Sequence, residues 1–316
     1  MMDLKNISPI GLGTWQLSSG KGELGKFWEA LPFETVRQIV EVSIAEGVNW
    51  IDTAEIYGNG ASESNLAKAL KDLGVKPDEV LIADKWWPKQ RKARSLVETI
   101  DQRLACLQGY PIGLYQIHWP ESESWLRTEM KYLAKLVEDG KVQRVGLCNY
   151  NWRQLKRAHK LLAKRGIPLS TVQVRYSLAH RSIESNNILK VAQDLDIKVI
   201  AWSPLESGLL TGRFHQDESL LGHVKAPRVA MYKLDPERLR QTKALIEVLA
   251  RIAAKHDCTA SQIALYWTTH FYPDRIYAIP GASSFSQAKA NAGAMALKLS
   301  RDELEEIDDA SMTCIE

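Results

Sequence analysis

Eight short apolar runs, each followed by a longer amphipathic stretch, constrain the fold of this chain more than any other feature. The runs are PIGLGTW (9–15), VNWID (48–52), EVLIADK (79–85), IGLYQIHW (112–119), VQRVGLCN (142–149), STVQVRY (170–176), IKVIAWS (197–203) and DRIYAIPG (274–281). Strands that alternate with helices predict a parallel sheet buried beneath helices. Eight such units in 316 residues favour one α/β domain over residues 1–316, a closed (β/α)8 or TIM barrel.

An open, doubly wound sheet is the alternative topology. It would carry the pattern G-x-G-x-x-G between its first strand and its first helix. Here Gly11-Leu12-Gly13 lacks the third glycine, and helical periodicity begins only near Phe33. The closed barrel is therefore favoured. Its longest interruption is a loop at 203–234, after the seventh strand, and loops of that length are usually functional or mobile.

The stretches between the strands carry helical signals. The segments 33–47 and 94–109 place apolar residues on one face and end at a glycine. Capping boxes at Thr259-x-x-Gln262 and Ser300-x-x-Glu303 predict two further helix starts, because a hydroxyl and a long polar side chain can satisfy free N–H groups there.

Composition excludes some classes of partner. The 41 basic and 38 acidic residues leave a net charge of +3, so no bulk electrostatic attraction draws the chain to nucleic acid or to an anionic membrane. The four widely spaced cysteines suggest reduced thiols rather than a disulfide framework or a metal site. With no signal-peptide pattern and no run of about 18 apolar residues, we expect a cytoplasmic protein that spans no membrane.

Polar residues follow three consecutive predicted strands. Asp52 ends the second strand, Lys85 the third and His118 the fourth, and Tyr57 lies on the short loop after Asp52. Consecutive strands are usually neighbours, and the carboxyl ends of barrel strands meet at one rim. We therefore expect Asp52, Tyr57, Lys85 and His118 to converge.

This set of residues suggests proton transfer. A lysine ammonium about 4 Å from a tyrosine, whose ordinary pKa is about 10, would favour the phenolate by about 4 kcal/mol before desolvation opposes it. Tyr57 could then exchange a proton, with Asp52 holding Lys85 charged and a neutral His118 orienting a carbonyl oxygen. A hydride cofactor would supply the electrons. A Schiff-base isomerase or aldolase that uses the Lys85 amine is the alternative.

Several stretches together resemble the aldo-keto reductase family over nearly the whole chain. They are DTAEIYG (52–58), Lys85, LYQIHWP (114–120), GLCNYN (146–151), VQVRYSL (172–178) and AWSPLESGLLTG (201–212). The resemblance implies a (β/α)8 barrel with its active site at the carboxyl ends of the strands. It also implies NAD(P)H-dependent reduction of aldehydes and ketones to alcohols, with Asp52, Tyr57, Lys85 and His118 as the catalytic tetrad and Tyr57 as general acid.

The resemblance also implies cofactor contacts. Around the nicotinamide these are Thr14, Trp15, Cys148, Asn149, Gln173 and Trp202. Along the pyrophosphate they are Ser203, Leu205, Gly208, Leu210 and Gly212. Around the adenosine ribose they are Ile279, Gly281, Ser283, Gln287 and Asn291. NADPH is the expected cofactor, and NADH stays open because Gly281, Ser283 and Gln287 are not cationic.

Tryptophans dominate the expected substrate site. Trp15, Trp86, Trp87 and Trp119 stand beside the predicted tetrad, and aromatic walls suit a small apolar or aromatic carbonyl compound. Lys225 and Arg228, on the loop after the seventh strand, could instead serve an anionic substrate. The alternative to an enzyme is a cofactor-binding regulatory protein, similar to the family members that are associated with potassium channels. The oligomeric state does not follow from the sequence.

Overall fold

Eight parallel strands, neighbours in the order of the sequence, form one sheet. The computed structural model describes residues 4–314, so residues 1–3 and 315–316 of the expected domain lie outside the described part. The strands are β1 (Leu12–Gly13), β2 (Trp50–Asp52), β3 (Leu81–Trp86), β4 (Ile112–Ile117), β5 (Val145–Cys148), β6 (Leu169–Arg175), β7 (Lys198–Trp202) and β8 (Ile276–Ile279). All eight lie within the apolar runs or extend them by one residue.

The first and last strands close the sheet into a barrel. Gly11 N donates to Ala278 O at 2.8 Å, and Gly13 N donates to Pro280 O at 3.1 Å. Parallel bridges pair Ile10 with Ala278 and Gly13 with Gly281. The closed (β/α)8 barrel is confirmed, and an open doubly wound sheet is excluded because its two edge strands would not pair.

Helices pack around the barrel between successive strands and after the last one. They are α1 (Gly22–Gly25), α2 (Phe33–Ala45), α3 (Ala61–Asp72), α4 (Ser95–Cys106), α5 (Leu126–Glu138), α6 (Trp152–Ala163), α7 (Ser182–Ser185), α8 (Ile188–Asp194), α9 (Arg213–Gln216), α10 (Ala226–Tyr232), α11 (Pro236–Lys255), α12 (Ala260–His270), α13 (Phe285–Gly293) and α14 (Arg301–Met312). Both predicted capping boxes form, at the starts of α12 and α14. Across residues 4–314, no helix combines the length and apolar character that a membrane crossing requires.

Strand alternation divides the apolar side chains into two cores. One lies between the sheet and the helices and includes Ile82 and Trp86 of β3. The other fills the lower barrel interior and includes Leu81 and Ala83 of the same strand. Inward positions nearer the carboxyl ends are polar, and this layer forms the floor of the site described below.

The segment at 203–234, expected to be a long loop, is mostly short helices. It contains 3-10 helices at Glu206–Thr211 and Glu218–His223, together with α9 and α10. The prediction missed them because each element spans only one or two turns, which is too short for a periodic apolar pattern to show.

Candidate active site

The four predicted catalytic residues meet at the carboxyl ends of three neighbouring strands. Asp52 ends β2, Lys85 lies in β3, and His118 directly follows β4. Tyr57 lies on the loop between β2 and α3. The Lys85 ammonium contacts the Asp52 carboxylate and donates to the Tyr57 hydroxyl at 3.5 Å.

Asp52 and Lys85 form a buried ion pair with a full set of hydrogen bonds. The Lys85 side chain is completely buried and also donates to Thr53 O at 2.8 Å. The Asp52 carboxylate accepts from the amides of Gln173 at 2.9 Å and Gln116 at 3.4 Å. Burial is the largest single influence on the pKa of Lys85 and lowers it, but the charge and hydrogen bond of Asp52, together with the smaller effects of Tyr57 and Cys148, raise it by more, so the net direction is upward. Lys85 is therefore cationic and fixed in place.

Tyr57 differs from the expectation in its acidity. Burial raises the pKa of its hydroxyl to about 12, and the attraction of Lys85 only partly offsets this effect. The predicted lowering of this pKa is wrong, because the Coulomb argument weighed the cation without the full cost of removing the phenolate from water. Tyr57 is a neutral phenol at neutral pH, which is the form that a proton donor needs.

The loop holds the Tyr57 ring among other aromatic rings. Gly58 follows it with φ of 71° and leaves no room for a side chain against the Ser18 carbonyl, which explains the glycine after the tyrosine. The Trp15 ring stacks on Tyr57 at a centroid distance of 6.1 Å. His118 meets Tyr57 edge-on at 5.6 Å.

His118 is neutral. Burial, with a smaller contribution from the Lys85 charge, lowers the pKa of its imidazole well below the usual value. Its Nδ1 is buried without a hydrogen-bond partner among residues 4–314. A neutral imidazole can offer one N–H to an oxygen in the cavity, as the sequence suggested.

A cavity of about 250 Å³ opens directly above these residues, and we call it the catalytic cavity. Aromatic and apolar side chains form most of its wall. The lining includes Trp15, Leu24, Phe27, Tyr57, Trp87, His118, Trp119, Trp202, Met231 and Ile279. The polar lining includes Thr14, Asp52, Asn149 and Gln173. The Asn149 side chain donates a hydrogen bond to His118 O at 3.1 Å and accepts one from Trp202 Nε1 at 3.0 Å.

A second cavity, of about 620 Å³, adjoins the first and is called the basic cavity here. The two share Gln16, Ser203 and Gly281 in their walls. The basic cavity is lined by the segment after β7 and by α13, including Ser203, Leu205, Ser207, Gly208, Arg213, Arg228, Ser283, Gln287 and Asn291. A dinucleotide requires a large space that continues from the catalytic centre, and this cavity provides one.

Two arginines give this second cavity its charge. Arg228 donates to Ser207 Oγ at 2.8 Å, and its guanidinium lies 3.9 Å from the Trp28 ring centroid. Burial, with the charge of Arg213, lowers the pKa of Arg228 to about 10. Gly208 lets Arg213 approach its backbone, where a Cβ would lie 3.0 Å from the guanidinium. Two cations that repel each other across a cavity favour an anion between them.

Comparison with known proteins identifies the family. The model of the aldo/keto reductase family matches residues 9–312. This chain belongs to that family. It is 30% identical to the chloroplastic pyridoxal reductase of Arabidopsis thaliana, over 97% of this chain and 84% of the relative. It is 34% identical to an uncharacterised oxidoreductase of Mycobacterium tuberculosis, over 96% and 90% of the two chains.

Solved structures agree with this assignment. An aldo-keto reductase from Klebsiella pneumoniae, in complex with NADPH, has a TM-score of 0.72 and 25% identity, with 98% of this chain and 92% of that one covered. A thermostable aldo-keto reductase, in complex with the inhibitor epalrestat, has a TM-score of 0.75 and 26% identity, with 98% of both chains covered. The resemblance seen in the sequence is confirmed, and the chain is an oxidoreductase with a (β/α)8 barrel.

In this aldo/keto reductase most of the expected cofactor and substrate positions line one of the two cavities. Four do not. Trp86 is fully buried against the helices, with Nε1 donating to Ser95 Oγ at 3.1 Å, because strand alternation turns it outward from Lys85. Cys148 is fully buried at the end of β5 and lines neither cavity. Leu210 packs in the outer core. Gly212 serves as the left-handed residue that starts α9.

Several lining residues were not predicted from the sequence. Gln16, Trp28 and Arg213 line the basic cavity, and Leu24, Phe27 and Met231 line the catalytic cavity. Arg213 follows the glycine-rich stretch ending at Gly212, and a cation in that place was a usable signal. The segments around Phe27 and Met231 carry no motif, and only the fold brings them to the mouth of the barrel.

Behind Lys85, two buried carboxyl groups face each other outside the barrel. Asp84 Oδ1 accepts from Lys85 N at 2.8 Å, and Glu63 Oε2 accepts from Arg103 at 2.7 Å. Asp84 Oδ2 and Glu63 Oε1 are buried without a partner among residues 4–314. Burial, with the repulsion of Asp84, raises the pKa of Glu63, and burial raises the pKa of Asp84 to about 7. The pair therefore retains one proton near neutral pH.

We expect Asp84→Asn to stabilise the protein by about 1–3 kcal/mol at pH 8, because it removes a buried charge beside Glu63. A raised folded-state pKa means that native stability falls as pH rises from about 4, the unfolded value, to about 7. The advantage of the variant should therefore shrink as pH falls from 7 towards 4. Urea unfolding at several pH values measures it, with the exposed Asp78→Asn as control. If the variant is no more stable than the native protein at pH 8, the conclusion that Asp84 and Glu63 retain one proton is wrong.

Proposed function

We propose that this protein reduces small aldehydes and ketones to alcohols with NADPH, and that Tyr57 protonates the carbonyl oxygen. One observation carries the proposal: a neutral phenol and a fixed ammonium, 3.5 Å apart, lie at the floor of an aromatic cavity beside a larger cavity with two arginines. The first cavity suits a carbonyl compound, and the second suits a dinucleotide phosphate.

The cofactor proposal rests on the fit of the residues to NADPH. The Klebsiella pneumoniae relative binds NADPH. In this chain, Gln16 has a buried Oε1 without a partner in the described residues and lies where the two cavities meet. Thr14, Trp15, Asn149, Gln173 and Trp202 would hold the nicotinamide end, and Arg213 and Arg228 would hold phosphate. When bound, NADPH supplies the hydride that the carbonyl carbon receives.

Proton delivery depends on this chain's own side chains. As negative charge develops on the carbonyl oxygen, the Tyr57 O–H bond breaks and its proton moves to that oxygen. The Lys85 ammonium, anchored by Asp52, stabilises the phenolate that remains. The neutral His118 donates a hydrogen bond that orients the carbonyl.

The wall of the catalytic cavity favours a planar aromatic aldehyde. Trp15, Phe27, Trp87 and Trp119 provide flat apolar surfaces, and no Lys or Arg stands among the described residues that line this cavity. The relative from Arabidopsis thaliana is a pyridoxal reductase, and pyridoxal is a heteroaromatic aldehyde of this kind. We therefore propose neutral aromatic and heteroaromatic aldehydes as the preferred substrates.

A substrate panel tests the proposed function. The purified protein is incubated with NADPH and with simple aldehydes, dicarbonyls, aromatic ketones, aromatic aldehydes and pyridoxal, and the loss of NADPH absorbance is followed. We expect the highest kcat/KM with the aromatic and heteroaromatic aldehydes. Tight NADPH binding without turnover on any compound would contradict the proposal and would favour a regulatory role instead.

Removing a cation from the basic cavity should weaken cofactor binding. Because a hydrogen bond to a charged group contributes about 1.5–3 kcal/mol, we expect Arg213→Ala and Arg228→Ala each to raise the Kd of NADPH by about 10- to 100-fold. Quenching of tryptophan fluorescence measures the Kd, and the exposed Arg240→Ala serves as control. Parallel titrations with NADH show whether an arginine contacts the 2′-phosphate. Unchanged affinity in both variants would place the phosphates elsewhere.

A further inference from the structure

Glu55, two residues before Tyr57, joins the two loops that form the catalytic cavity. Its side chain is only 11% exposed. One carboxylate oxygen accepts from the backbone N–H of Trp87 and from the guanidinium of Arg91. The other lies 3.9 Å from Arg103 Nε. Glu55 therefore ties the Tyr57 loop to the loop that follows β3.

The same network holds both sides of the Trp87 backbone. Arg91, which contacts Glu55, also donates to the Trp87 carbonyl at 3.0 Å. Arg91 is anchored in turn to α4, through Ser95 Oγ at 3.1 Å and Thr99 Oγ1 at 3.0 Å. The N–H and the carbonyl of Trp87 are thus fixed by one ion pair, and this pair sets the direction of the side chain.

The direction of the Trp87 ring matters because the ring forms a wall of the catalytic cavity. It meets the His118 ring edge-on at 5.3 Å. Trp86, its neighbour, points outward into the core, whereas Trp87 lines the cavity, so the orientation of the Trp87 backbone decides where its ring lies. Glu55 itself does not line either cavity within the described residues.

We propose that Glu55 is a positioning residue that determines selectivity for aromatic carbonyl compounds by holding Trp87 against His118. This inference rests on the proposed reductase function. A planar substrate gains contact with the Trp87 face only when that ring keeps its place. A small aliphatic aldehyde needs Tyr57 and His118 but not the Trp87 wall, and so it is insensitive to the clamp.

Steady-state kinetics with two substrates test the proposal. We expect Glu55→Ala to raise the KM for an aromatic aldehyde such as benzaldehyde by about 10-fold, and to change kcat/KM for propanal by less than about 3-fold. Glu55→Gln keeps an oxygen acceptor for the Trp87 N–H and should restore most of the selectivity. Arg91→Met should lose selectivity as Glu55→Ala does. The exposed Glu121→Ala serves as control.

Two further measurements separate positioning from a general structural role. The Kd of NADPH, measured by fluorescence, should be unchanged in Glu55→Ala, and a crystal structure of that variant should show the Trp87 ring displaced. Equal losses for both aldehydes, or a Trp87 ring that keeps its position, would overturn the proposal. The crystal structure decides it even if the native protein reduces neither aldehyde, an outcome that would count against the proposed function separately. If Glu55→Ala does not fold, Arg91→Met supplies the variant that should lose selectivity, and Glu55→Gln supplies the variant that should keep it.

Discussion

Tyr57→Phe is expected to lower turnover by about 10²- to 10⁴-fold, the range associated with loss of a general acid. Tyr57 is the group of the tetrad that is placed to give up a proton, since Lys85 is committed to Asp52 and Thr53 and the N–H of the neutral His118 serves as a hydrogen-bond donor to the carbonyl. Phenylalanine keeps the ring stacked on Trp15 and removes only the hydroxyl. The loss should therefore fall on kcat and leave the Kd of NADPH nearly unchanged.

The pH profile gives a second readout for the same residue. Because burial raises the pKa of Tyr57 to about 12, the donor stays protonated throughout the ordinary assay range. We expect the kcat for reduction to show no alkaline loss due to Tyr57 between pH 6 and about 9. Full activity of the Tyr57→Phe variant would contradict this assignment. A native kcat that decreases near pH 7 would also contradict it, if that decrease is absent from the variant.

Lys85→Met is expected to destabilise the protein by about 3–5 kcal/mol and to abolish most activity, because removing one partner of a buried ion pair leaves the other charge without compensation. Asp52 is buried and would keep only the amide donors of Gln173 and Gln116. Urea unfolding measures the stability, and NADPH oxidation measures the turnover.

The double variant Asp52→Asn/Lys85→Met separates stability from catalysis. It removes both charges, so much of the lost free energy of unfolding should return. Turnover should stay low, because no cation remains to stabilise the Tyr57 phenolate. If the single Lys85→Met variant is as stable as the native protein, breaking the buried ion pair does not destabilise the fold as the structure indicates. If the double variant recovers turnover, Lys85 has no role in proton transfer.

Repetition of one pattern made the fold readable from the sequence. Strands of a parallel barrel are apolar on both faces and short, and their helices are amphipathic, so each unit leaves a local signal. The closing contacts between residues 11–13 and 278–280 left no such signal, since they pair opposite ends of the chain. The number of units predicted closure, and only the hydrogen bonds established it.

The site was readable in part for the same reason. Asp52, Lys85 and His118 stand at the ends of consecutive strands, and strand order alone brings such positions together. Trp86 and Trp87 show the limit of this reasoning, because adjacent residues of a strand point to opposite sides. The sequence does not show which side of the strand faces the barrel interior, so it could not predict which tryptophan reaches the cavity.

The sequence by itself determined the eightfold alternation, the convergence of Asp52, Tyr57, Lys85 and His118, and the family resemblance, because these depend on local patterns and on strand order. Only the tertiary structure decided the acidity of Tyr57, the placement of Arg213 and Arg228 in one cavity, and the contacts of Glu55 with Trp87 and Arg91. Burial and long-range proximity set these properties, and both depend on how segments distant in the chain pack together.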